Sequence, residues 1–204
     1  MSALVAVILV NVVVSLLAFR VLRDGGTRGA DAYLFIPYQV ARGENGGGLL
    51  LAHFAHAGFA HLAFNMLALY SFAGPVLTRL GAARFLLIYA VAGLGADLVV
   101  FALHKEDPTY RCLGASGSVF AIMMAAIVLD PSTAIVAFLI PVPIPGPFFM
   151  VGYAAVALFL IAQKRRDGIS HEGHLGGALV GLALTGVLAP HGLQPLVRWF
   201  AHWT

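Results

Sequence analysis

Charge is the scarcest property of this chain. Only 10% of its 204 residues are Asp, Glu, Lys or Arg, against about 25% in soluble domains. Such a deficit, with 60% hydrophobic residues and a mean hydropathy of +0.91, points to lipid as the solvent. Cysteine is almost absent. Cys112 stands alone, which excludes an internal disulfide and any Cys-rich zinc site. The net charge of +3 is small, and in an apolar chain such an excess belongs to loops, so no nucleic-acid footprint is read from it. The first apolar run, Ser2 to Phe19, has no basic segment before it and no small-residue cleavage site after it. It is expected to be a retained helix rather than a signal peptide.

What is present is a series of apolar runs. A spanning helix needs about 20 mostly apolar residues. Six are placed, at about residues 2–22, 49–72, 84–103, 116–129, 147–162 and 172–188. The expected fold is therefore all-α, a polytopic bundle of six transmembrane helices forming a single domain over residues 1–204. Between the fourth and fifth helices lie Pro141, Pro143, Pro145 and Pro147, which cannot continue a helix. The apolar stretch Ile135 to Ile140 is too short to span and is expected at the membrane interface, as are Trp199 and Trp203.

Polar groups inside a bilayer are costly, so each needs a reason. His53, His56, His61 and Asn65 fall in the second helix, Ser116 and Ser118 begin the fourth, and His171 and His174 begin the sixth. Helices two, four and six run the same way if all six span. Their polar groups then converge in one layer. Gly117, Ala121 and Ala125 repeat every four residues down the fourth helix, and Gly173, Gly177 and Gly181 down the sixth. Small stripes of this kind let two backbones approach closely in lipid, bringing Ser116 within reach of His174. A serine hydroxyl is a weak nucleophile until a base takes its proton, and histidine suits that role. The bland alternative is a packing interface with the hydroxyl bonded to its own backbone. Gly114 and Gly117 flank the serine and leave it uncrowded. His61 and Asn65 are four apart on one helix face and can both donate hydrogen bonds to a developing oxyanion; alternatively they only pin helices together.

Together these residues resemble the rhomboid family over roughly residues 50 to 185. The second helix reads His56-Ala57-Gly58-Phe59-Ala60-His61-Leu62-Ala63-Phe64-Asn65, like the family's HxxxxHxxxN. Arg79-Leu80-Gly81 follows, then Gly114-Ala115-Ser116-Gly117, like GxSG, and finally His174, Gly177 and Gly181, like HxxGxxxG. The resemblance implies an intramembrane serine endopeptidase with a Ser–His dyad: Ser116 the nucleophile and His174 the base. His61, Asn65 and the Ser116 backbone N–H would hold the oxyanion. Gly114, Gly117, Phe120, Gly177 and Gly181 would support the site, with Phe120 packed on the catalytic imidazole and His56 structural. His174 is preferred to His171 because it has glycines three and seven residues later. No metal or other cofactor is implied. The substrates implied are single-span or polytopic membrane proteins, cut next to a small residue near where the helix enters the bilayer, with helix-breaking residues helping. The expected location is a bacterial inner (plasma) membrane. The chain departs from some bacterial members in lacking a Trp-Arg pair in its first loop, and with no further domain before the first helix it reads as a minimal six-helix core.

Asp97, within the third helix, is expected to make a structural hydrogen bond or face a cavity, rather than orient a catalytic histidine. Charge also bears on orientation. Nine of the twelve basic residues fall in loops on the expected active-site side and three (Arg79, Arg84 and Arg198) on the other, which by the positive-inside rule turns the site toward the cytoplasm. The resemblance implies the reverse orientation. The fifth helix has few polar residues and no catalytic candidate, so it is expected to move as a lateral gate against the second, with Phe159 or Leu160 facing that helix. Three other functions remain open: an inactive rhomboid relative that binds membrane clients, a transporter with broken helices, and a metal- or haem-binding protein using the eight histidines, although no HExxH occurs.

Overall fold

The computed structural model describes residues 2–23, 27–137 and 140–202; Trp203 and the centre of the Ile135 to Ile140 stretch lie outside them. The described chain is mostly helical. α1 (Ser2–Arg23) is followed by a loop of short turns: α2 (Thr27–Ala30), a 3₁₀ turn (Asp31–Tyr33), α3 (Pro37–Val40) and α4 (Gly46–Leu51). Then come α5 (Phe59–His104), α6 (Ser116–Leu129), a hairpin of β1 (Ala134–Ala137) and β2 (Ile140–Pro145), α7 (Gly146–Ala162), α8 (His171–Leu188) and α9 (Gln194–Ala201). α1 and α5 are long and apolar enough to cross a membrane; α6 and α7 are shorter apolar helices.

α5 holds both the second and the third expected helices. At Gly81 the backbone adopts φ +81° and ψ 171°, a left-handed conformation open to glycine, and the chain changes direction there without a separate loop. Arg79, beside the bend, donates to the Leu129 carbonyl at the end of α6 and lies 3.6 Å from Asp130. A cation there satisfies a terminal carbonyl and complements the helix dipole. The second helix begins at Phe59, ten residues later than expected. Leu49 to Leu51 end the short α4, and the chain between is held by tertiary bonds: Ser15 Oγ donates to the Phe54 carbonyl, and Gly114 N donates to Ala52 O.

α6 is the centre of the bundle. Ten of its fourteen residues are buried, in a core shared with Leu69, Val76, Phe85 and Ile88 of α5; α1 packs on the other side of that core, against α5. α6 meets α8 backbone to backbone. A Cβ on Gly177 would overlap the Gly117 carbonyl oxygen, and one on Gly181 would come within 2.6 Å of Ala121 Cα. α7 is packed far less: only Gly146, Pro147, Met150 and Ala157 are buried, while Val151, Val156, Leu158 and Phe159 stand exposed. Exposed apolar side chains on α1, α5 and α7 form surface that water would disfavour.

The hairpin departs from an all-α fold. Ala134 faces Pro145 and Ile135 faces Ile144 across an antiparallel ladder, closed by Gly146 N donating to Thr133 O. Alternating prolines bar a helix, yet a two-stranded ribbon has outer edges where a missing N–H costs nothing.

Candidate active site

Ser116 is the first residue of α6 and follows a sharp turn at Gly114, where φ is +131°. His174 sits in the first turn of α8. The close approach of α6 and α8 brings the Ser116 hydroxyl to 2.7 Å from His174 Nε2. Phe120, one turn below Ser116, stacks on the imidazole at 4.5 Å and 15°. His171 is turned elsewhere, its Nε2 3.1 Å from Asp167.

His61 reaches the same place from α5. A Cβ on Gly114 would lie 3.0 Å from His61 Nε2 and 3.8 Å from Ser116 Oγ, so only a bare backbone separates the ring from the hydroxyl. Ala57 N donates to His61 Nδ1 at 3.4 Å. With Nδ1 accepting, the ring proton belongs on Nε2, the nitrogen beside Gly114. His56 meets the His61 ring edge-on at 4.9 Å and is anchored to Ser15 at 2.9 Å. Because the Ser15 hydrogen goes to Phe54 O, His56 Nδ1 is the donor to Ser15. Asn65 is buried and gives one amide N–H to the His61 carbonyl, 2.9 Å away, with the second available. The first N–H groups of α6 have no intrahelical acceptor, and that of Ser116 is among them. His61, Asn65 and Ser116 all border one open space.

That space is the floor of a cleft of about 960 Å³, lined by His61, Phe64 and Asn65 of α5, Ser116 and Phe120 of α6, and Ile161 of α7. Of Phe159 and Leu160, one or other expected to face α5, Phe159 is 62% exposed and Leu160 half-buried; Ile161 takes the cleft position in their place. The reason is helical geometry: Phe159 shares its side of α7 with exposed Val151, Val156 and Leu158. In the wall of the same cleft, Arg166 joins Asp107 and donates to Thr109, tying the loop before α8 to the loop after α5. Hydrogen bonds from Thr109, with Arg166 beside it, hold the Asp107 carboxyl down at about 2. Tyr110 donates to Glu172 at 2.7 Å, and burial pushes its phenol pKa up.

Behind the dyad is a second, small cavity of about 40 Å³, walled by His53, Asp97, Ser116, Ser170 and His174. That is room for a water molecule, with several polar partners. Asp97 faces it and lies 2.9 Å from His53 Nε2, at ion-pair distance although the ring N–H is not aimed along a hydrogen bond.

One polar contact of His174 was not foreseen. Tyr153 of α7 places its hydroxyl 2.8 Å from His174 Nδ1, so the fifth helix does touch the dyad, contrary to the expectation that it carries nothing the site uses. The signal was there: Tyr153 is the one polar side chain in Gly146–Ala162, and a phenol in an apolar helix needs a partner.

Comparison with known proteins agrees with this architecture. A family model for the rhomboid domain matches residues 44–191. Rhomboid protein 1, mitochondrial, of Saccharomyces cerevisiae is 33% identical over 158 residues, 72% of this chain and 45% of that protein. The presenilin-associated rhomboid-like protein, mitochondrial, of Mus musculus is 30% identical over 142 residues, covering 66% of this chain and 36% of its own. A putative rhomboid protease of Bacillus subtilis is 40% identical over 67 residues, a third of each chain. The matched region spans less than half the length of these relatives. An apolar helical bundle with these matches is an integral membrane protein. The chain belongs to the rhomboid family, which includes intramembrane serine proteases. The expected bacterial plasma membrane draws no support from the two relatives matched over most of this chain, whose names are mitochondrial.

Proposed function

We propose that the protein is an intramembrane serine endopeptidase that cleaves membrane-protein substrates within or beside their transmembrane helices. The observation that carries this reading is the Ser116 Oγ to His174 Nε2 distance of 2.7 Å at the floor of an open cleft. Ser116 Oγ attacks the scissile carbonyl while His174 Nε2 takes its proton. The oxyanion is received by His61 Nε2–H, the free Asn65 amide N–H and the Ser116 backbone N–H, with the positive end of the α6 dipole behind them. His174 then protonates the leaving amine, and water hydrolyses the acyl-enzyme by the same route in reverse. The small cavity behind the dyad supplies a place for that water.

The bundle spans the bilayer six times in this reading: α1, the two arms of α5 on either side of Gly81, α6, α7 and α8. α6 has 14 residues. At 1.5 Å per residue it is about 21 Å long, short of a hydrocarbon core of about 30 Å. Its first residue therefore lies below the membrane surface, and the irregular chain of residues 105–115 dips in to meet it. Such backbone is tolerated at depth only where protein or a watered cavity surrounds it, which the cleft provides. A substrate helix must unwind there, since helical backbone cannot offer its carbonyl to a nucleophile.

The test is cleavage of a single-span substrate by purified protein in detergent. Wild type should cut it, and Ser116→Ala and His174→Ala should each abolish cutting while the protein stays folded. Equal cleavage by Ser116→Ala ends the reading. A wild type that binds the substrate without cutting it moves the protein to the client-binding alternative.

A further inference from the structure

We propose that Tyr153 is a positioning residue for the catalytic base, accepting a hydrogen bond from His174 Nδ1 and so tying the tautomer of the dyad to the seating of α7. The inference rests on the protease reading. For His174 to accept the Ser116 proton, its Nε2 must carry the lone pair, which leaves the ring hydrogen on Nδ1. The atom 2.8 Å from Nδ1 is the Tyr153 oxygen. Phe120 holds the ring from one face at 4.5 Å and touches Tyr153 at 4.6 Å, so the imidazole is fixed in plane by one side chain and in rotation by the other. The other titratable groups acting on His174 are His61 from α5 and His171 and Glu172 from α8 itself. Asp97, at ion-pair distance from His53, lines the small cavity that His174 also borders. The partner of Nδ1 is thus a neutral phenol borne on the loosely packed helix.

The consequence concerns motion. α6 and α8 are locked backbone to backbone and keep Ser116 and His174 together whatever α7 does. Tyr153 is the part of the constellation that leaves when α7 is displaced. A displaced α7 admits substrate while the base is held by one partner fewer, and reseating restores it.

Tyr153→Phe tests this by removing one oxygen and keeping the ring. The sign of its effect on the pH profile is diagnostic. An acceptor at Nδ1 favours the imidazolium, so losing it disfavours the cation and moves the acid limb of kcat/KM to lower pH. A donor at Nδ1 would favour neutral imidazole, and its loss would move the limb to higher pH. The expected result is a kcat about 10-fold lower with KM nearly unchanged, the acid limb moved down, and equal losses on a transmembrane substrate and a short soluble peptide. An acid limb that stays or moves up, or a loss confined to the transmembrane substrate, overturns the proposal and leaves Tyr153 a lining residue. Where the variant is less stable, the rate of fluorophosphonate labelling of Ser116 per folded molecule is read in place of turnover, with the same signs. A wild type inactive on both substrates defeats the protease reading itself, a different outcome from an active wild type matched by Tyr153→Phe.

Discussion

Replacing Gly177 with alanine adds one methyl group at the closest approach of α6 and α8. Its carbon would fall 2.6 Å from the Gly117 carbonyl carbon, 2.9 Å from Gly117 Cα and nearer still to the oxygen. Ordinary contact begins at 3.4 Å, so the carbonyl carbon alone must retreat by 0.8 Å and the oxygen further. The obstacle is backbone, which cannot rotate aside, so the two helices part by about 1 Å. Ser116 is adjacent to Gly117, and His174 lies one turn before Gly177. The dyad distance then opens from 2.7 Å toward about 3.7 Å, beyond a hydrogen bond. A misplacement of about 1 Å costs on the order of 100-fold in rate, and overpacking of this kind costs about 1–3 kcal/mol in stability. The assay is turnover of a single-span substrate together with Tm in one detergent. Gly74→Ala is the control, because its Cβ meets nothing within 4 Å and alanine suits a helix better than glycine. Undiminished turnover and unchanged Tm in Gly177→Ala would refute the claim that this contact sets the dyad distance.

His61→Ala and Asn65→Ala should each lower kcat by about 10²–10³, as loss of one oxyanion donor does, with Tm measured beside it. Normal turnover in the folded fraction with a lower Tm would make both residues pins between helices. Asp107→Asn separates loop from dyad in acid. The Asp107 carboxyl is depressed to about 2, so its contribution is present above its ordinary range and is lost only as pH falls toward that value. The tie to Arg166 therefore persists across neutral and mildly acidic pH, and Asp107→Asn should leave the acid limb of cleavage between about pH 4 and 7 where wild type has it. A limb that moves with this substitution would place acid inactivation in the loop and not in His174.

Helix boundaries were legible where a run of apolar residues ends at a residue that forces an end. α6 runs Ser116–Leu129 as read, and α7 and α8 begin one residue earlier than read, because glycine, proline and serine mark their starts. The start of the second helix was not legible. Leu49 to Phe54 are as apolar as the first turns of α5, and the bonds that break them off are tertiary: Ser15 reaching Phe54, and Gly114 reaching Ala52. The hairpin was hidden for a related reason, since prolines every second residue rule out a helix without saying what replaces it. Within the site, small residues at spacing four announced the meeting of α6 and α8, because a glycine's missing side chain is itself a statement about a neighbour. Tyr153 announced that it needs a partner but not which one. A tyrosine in an apolar helix has many possible partners, and only the rotation of α7 about its axis selects His174 Nδ1.

That contrast divides the molecule by stiffness. Ser116 and His174 stand on two helices whose backbones touch, where one added methyl group has no room. His61 and Asn65 stand on α5, whose buried face packs on the same α6. All the charge-handling groups of the proposed reaction, except the partner of Nδ1, therefore share one rigid unit. α7 is joined to that unit by few buried side chains and contributes Ile161 to the cleft wall and Tyr153 to the base. A substitution in the rigid unit should change kcat for every substrate. One on α7 should change access for transmembrane substrates alone, unless it falls at Tyr153, where access and chemistry meet.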